Sequence, residues 1–123
     1  MKKLLLILVV AILTTSCEKK LVKESEIIGK WNIISSQSAD GEWHDFSSLE
    51  LSTIFKENGT MTFYSLLGEG KSGTWEYKKN VLTEYYDGDM TVYEFIFREG
   101  NNATLQVEKN DGTIEKYKWV KEY

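Results

Sequence analysis

Residues 27–123 predict an all-β domain, an eight-stranded antiparallel up-and-down barrel that follows an apolar leader. Three observations carry that expectation. Seven turn clusters divide this stretch into eight strand-like runs. Within the runs apolar and polar residues alternate, as they do where a strand buries one face. The 123 residues include no proline, so no run is excluded from the centre of a sheet.

The leader comes first in the chain. Met1-Lys2-Lys3 brings positive charge, residues 4–13 are apolar, and Thr14-Thr15-Ser16 forms a small-residue exit. That order of charged, apolar and cleavage regions is a secretory signal, assigned here to residues 1–16. The apolar run falls short of the roughly 20 residues that cross a bilayer. A membrane anchor or a buried core helix is the competing reading. Cys17 is the only cysteine and can form no internal disulfide. The stretch Leu13-Thr14-Thr15-Ser16-Cys17 resembles the lipobox of bacterial lipoproteins. In that family the cysteine becomes the first residue, is thioether-linked to diacylglycerol and is then N-acylated. The resemblance implies a protein held on a membrane of the bacterial cell envelope, the outer membrane by expectation, through an acylated Cys17. Several acyl chains, at about 0.8 kcal/mol per buried CH₂, anchor a domain firmly. A free thiol in a spacer is the alternative.

Charge narrows the partners. The formal net charge is −4, and loss of Lys2 and Lys3 with the leader makes it −6. An acidic chain with scattered lysines has no electrostatic footprint for nucleic acid. It has no polybasic patch for anionic lipid either.

Residues 17–26 read as the lipidated cysteine and a tether, because "EKKLVKES" is charged and lacks a persistent period. The domain then runs from 27 to 123. Its turn clusters are Asp40-Gly41, Asn58-Gly59, Gly68-Glu69-Gly70, Lys79-Asn80, Asp87-Gly88-Asp89, Gly100-Asn101-Asn102 and Asn110-Asp111-Gly112. Asn-Gly and Asp-Gly tolerate the positive φ that tight hairpin turns demand. Along the strands, parity groups Gly73 with Trp75 and Tyr77, Tyr93 with Phe95 and Phe97, Leu105 with Val107, and Tyr117 with Trp119. Residues 38–50 are ambiguous. Asp40-Gly41 either closes a hairpin onto "EWHDF", the preferred reading, or opens a loop with a helical turn around "DFSSLE".

Eight strands joined by short turns leave two free edges unless the sheet closes on itself. Closure as a barrel gives an interior wide enough for side chains or one small ligand. A two-sheet sandwich is the competing architecture.

Gly29-Lys30-Trp31 opens the first strand and resembles the first signature of the lipocalins. The runs "IIGKWNIISSQSADGEWHDF", "IFKENGTMTFYS" and "GTWEYKKNVLT" are similar to the small lipocalin-like domain of bacterial lipoproteins. The resemblance implies a barrel with Trp31 plugging one end and a basic residue, Lys118 or Lys121, packed over it. Glycine at position 29 fits a strand that bends where a side chain would collide.

Catalytic chemistry finds little in the residues, and no enzyme activity, metal or cofactor is expected. His44 is the lone histidine, beside Asp45 in an expected loop, and no nucleophile-elbow motif accompanies it. Asp87-Gly88-Asp89 and Asn110-Asp111-Gly112 lack the spacing of a calcium loop and read as turns. The aromatic residues of the apolar parity allow two functional readings. In one, a small hydrophobic ligand enters the barrel among Phe63, Trp75, Tyr77, Phe95 and Leu105, with Glu84 and Gln106 as polar handles if turned inward. In the other the rings fill the core, and the lipoprotein is structural or docks another protein through its loops or rim.

Overall fold

The computed structural model describes residues 21–123; the leader, Cys17 and the start of the tether lie outside the described residues. A one-turn helix, α1 (Glu24–Ile27), precedes β1 (Gly29–Gln37), β2 (Trp43–Asp45), β3 (Ser52–Phe55), β4 (Thr60–Ser65) and β5 (Gly68–Lys78). The chain continues through β6 (Val81–Tyr86), β7 (Asp89–Glu99), β8 (Asn102–Glu108) and β9 (Ile114–Lys121). From β3 to β9 each strand pairs with the next, and β1 bonds to both β3 and β9. All pairings are antiparallel. Eight strands therefore close into a barrel, and the sandwich is excluded. Closure leaves the ring without an open edge.

The ninth strand comes from the ambiguous segment. One side of β1 is taken by β9 from Trp31 to Gln37. On its other side β3 covers Gly29 to Asn32, and β2 covers Ser35 to Gln37. β2 thus prolongs the position of β3 toward the rim. Both readings of residues 38–50 hold in part, since the Asp40-Gly41 hairpin is followed by a 3-10 turn over Ser47–Leu49.

Two expectations need correction. The chain does not turn at Gly68-Glu69-Gly70, which begins β5. It reverses at Leu66-Leu67, where the Leu67 N–H donates to Ser65 Oγ. Gly68 still serves the reversal, because its φ of +106° is open chiefly to glycine. Phe97 does not share the inward face of Tyr93 and Phe95. A β-bulge between Phe95 and Phe97 shifts the register, and Phe97 ends half exposed while Arg98 turns inward. One extra residue in a strand reverses the parity beyond it.

One end of the barrel is sealed. Residues 21–26, expected as tether, pack against it: Val22 and Ile27 are fully buried, and the Leu21 N–H donates to Asn80 Oδ1. Tyr77 Oη donates to the Val22 carbonyl. Gly29 sits here with φ +128°, and a Cβ on it would lie 1.9 Å from the Tyr123 carbonyl oxygen. That contact lets the Lys30 N–H reach the same oxygen at 2.9 Å, which ties the C-terminus to β1. Trp31 is completely buried beneath α1 and donates from Nε1 to the Ile27 carbonyl at 2.9 Å. Arg98 and Lys121 lie over its ring, at 5.6 and 5.8 Å from the centroid. Lys118 instead covers Trp43. Glu26 joins the cluster by an ion pair to Arg98 and a carbonyl that accepts from Lys121 Nζ.

At and above that plug the rings of Trp31, Phe55, Trp75, Phe95 and Trp119 pack edge to face, tilted or, for Phe55 on Trp119, stacked, with centroids 5.7 to 6.4 Å apart. Such contacts suit the aromatic quadrupole. They fill the closed half of the barrel. The other half is not filled.

Candidate functional site

The strands that run past the aromatic plug enclose a cavity of about 460 Å³ at the opposite end. Its wall takes Ile33 from β1, Thr53 from β3, Phe63 from β4, Glu84 and Tyr86 from β6, and Tyr93 from β7. Trp119 of β9 touches both the cavity and the ring cluster, and so forms the floor between the two halves. Gly70 helps to shape the wall, since a Cβ there would press the Phe63 backbone and ring at 3.1 to 3.3 Å.

Two polar groups in this wall lack partners. Glu84 is 4% exposed, and its Oε2 has no hydrogen bond. Trp119 Nε1 is likewise buried and unbonded. Leaving such groups dry and unpaired is costly, and native proteins seldom do so without a role for them. Burial pushes the Glu84 carboxyl up to about 8. Burial also raises Tyr86 and Tyr93, and the carboxyl of Glu84 adds to both effects. A perturbed acid in a concave, mostly apolar site is a common mark of a functional site.

The residues singled out from the sequence divide between the two halves of the barrel. Phe63 and Glu84 line the cavity. Trp75, Phe95 and Leu105 are buried in the packed core below it. Tyr77 faces the sealed end, where it holds Val22. Gln106 turns outward and donates to Glu94 Oε1 at 2.8 Å. Tyr86, Tyr93, Trp119, Thr53 and Ile33 are among the cavity residues that sequence reading missed as lining. Tyr93 and Trp119 already lay on the inward parity. Their height along the barrel, which depends on strand register, was the lacking signal.

Other sites are weaker. Clefts of about 670 and 610 Å³ lie on the outer wall. Neither contains a buried unpartnered group. His44 is exposed, and Asp45 spends its carboxylate on the backbone and hydroxyl of Ser47 rather than on His44. Among the described residues no group of three His, Cys, Asp or Glu is placed to hold a metal ion. No described helix is long and apolar enough to cross a membrane.

Around the mouth, Leu67 is almost wholly exposed, with Leu66 and Leu49 about half exposed beside it. The Leu66 N–H donates to the Leu49 carbonyl, which joins the β4–β5 tip to the 3-10 turn. Comparison with known proteins assigns no relative: no protein-family model matches the chain, and no curated protein matches its sequence.

Proposed function

We propose that this is a lipocalin-like lipoprotein of the bacterial cell envelope, anchored through acylated Cys17, that carries a small, largely apolar molecule in the open half of its barrel. The observation that carries the reading is the one-sided cavity, with Glu84 and Trp119 Nε1 unpartnered in its wall. The reading is one of binding, because what the wall offers is rings and a buried acid, the mix of apolar surface and few polar groups that orients a small ligand.

Anchoring also sets the direction of access. The chain enters at the sealed end, where Leu21 and Val22 meet Asn80. Four further residues reach Cys17, a span of at most about 14 Å when extended. The plugged end therefore faces the lipid and the mouth faces away from it.

Two measurements test the proposal. The intact mass of protein extracted from the envelope should correspond to a chain beginning at Cys17 with added acyl mass; a species retaining Met1, or one lacking acyl mass, overturns the anchor. The full chain should also respond to a panel of fatty acids, sterols and aromatic dyes. Binding should quench emission from Trp119 and stabilise the fold by about 2.7 kcal/mol at a hundredfold excess over Kd. If no compound moves emission or melting temperature, the carrier reading fails. The second reading, a module that docks another protein, rests on the exposed leucines of the mouth. It gains support if Leu67→Ser abolishes a partner contact while the ligand response persists.

A further inference from the structure

We propose that the cavity selects a small organic cation, an ammonium group on an apolar and preferably aromatic body, with Glu84 as its counter-ion. The inference rests on the reading of that cavity as a ligand site and adds the charge of its occupant.

Glu84 is the reason. It is nearly inaccessible to water, and its Oε2 lacks a hydrogen-bond partner. The ion pairs among the described residues join Lys30 to Glu122, Arg98 to Glu26 and Lys109 to Glu115, so none of them serves Glu84. A buried acid survives without a counter-ion only by holding its proton. A ligand that brings a positive charge restores the ion.

The surroundings fit that charge. Phe63, Tyr86, Tyr93 and Trp119 present rings to the cavity, and ring faces attract cations. Tyr93 and Trp119 stand 5.1 Å apart, tilted by 60°, so their rings form a corner rather than a flat wall. The titratable groups near Glu84 are few. Tyr86 lies on its own strand, Tyr93 on β7 and Tyr117 on β9, and burial holds all three phenols in the neutral form. Glu115 on β9 is occupied by Lys109. Lys71 of β5 lines the cavity from an exposed position and is its sole basic side chain among the described residues. An anionic head driven inward would meet Glu84 with no positive group beside it. Trp119 Nε1 offers one donor to an acceptor on the ligand.

Binding then exchanges ions. The ammonium enters, the Glu84 carboxyl loses its proton to solvent, and the pair carries no net charge. Because burial holds the empty carboxyl near pH 8, the exchange tightens as pH rises toward that value.

Three ligands with one body and different heads decide the matter: phenethylamine, 2-phenylethanol and 3-phenylpropionate. Each is titrated calorimetrically into the full chain held in zwitterionic lipid nanodiscs, with empty nanodiscs as blank. Phenethylamine should bind at least tenfold more tightly than the other two at pH 8.5. Its affinity should fall on the order of fiftyfold at pH 6, following the ionised fraction of the empty site. Near pH 7 its heat should vary with the ionisation enthalpy of the buffer, reporting one proton released. Glu84→Gln should erase the preference and spare 2-phenylethanol; should that variant misfold, the proton release and pH dependence of the native chain decide. Equal affinity for the three heads, or preference for the anion, overturns the cation assignment and leaves the cavity a ligand site. Binding by none of them, with the apolar panel still stabilising the fold, overturns the assignment alone. Failure of both sets removes the ligand reading as well.

Discussion

Replacing Trp31 by alanine is expected to destabilise the fold by about 3–5 kcal/mol, the usual cost of deleting a large buried aromatic ring. The residue is fully buried, and its ring contacts Phe95 and Trp119. Three further losses accompany the cavity. The Ile27 carbonyl loses the Nε1 donor, α1 loses its floor, and Arg98 and Lys121 lose the ring that covers them. Glu26 then holds two cations over an empty space. A denaturant midpoint lowered without a change of slope is the expected record. An unchanged midpoint would mean that the sealed end contributes nothing to stability, contrary to its packing.

The second large effect is a pH dependence. The Glu84 carboxyl titrates near 8 in the folded barrel and near the ordinary carboxylate value once unfolded. Between those values the folded state holds a proton that the unfolded state has released. Stability therefore falls as pH rises through this window, by up to about 1.4 kcal/mol per unit, and levels off above pH 8. The integrated loss is at most several kcal/mol. Glu84→Gln should remove most of the slope and be more stable than the native chain above pH 8. Chemical denaturation of both proteins at pH 5.5, 7 and 8.5 checks this. Parallel curves for the two would show that Glu84 ionises freely in the fold.

The two effects arise in opposite halves of one barrel. Aromatic packing fills the sealed half, where Glu26 pairs with Arg98 and Asn80 receives Tyr77 and the Leu21 backbone, although Arg98 Nη1 is also buried without a partner. The open half keeps an acid and an indole N–H without partners, which costs stability. That cost is what supports the proposed ligand site.

Much of this was legible in the residues themselves. Alternation along the strands and the Asn-Gly and Asp-Gly turns determine an antiparallel all-β chain, because side-chain period and positive-φ tolerance are local properties. Gly29 and Trp31 announced a crowded strand entry for the same local reason. Eight strand-like runs implied closure, since an open sheet would leave two edges bare. Other features depend on register. The bulge between Phe95 and Phe97 turned Phe97 outward, and no residue type signals it. Leu66-Leu67 forms a turn without turn residues, because the neighbouring Gly68 supplies the needed φ. Val22 joined the core only because the barrel end offered Asn80 and Tyr77 to receive its backbone. The cavity was the least legible of all. Parity determines which side chains point inward, but height along the barrel determines which of them meet rings and which meet empty space. Height follows from the stagger of all eight closed strands together, a property of the tertiary structure that no single stretch of sequence contains.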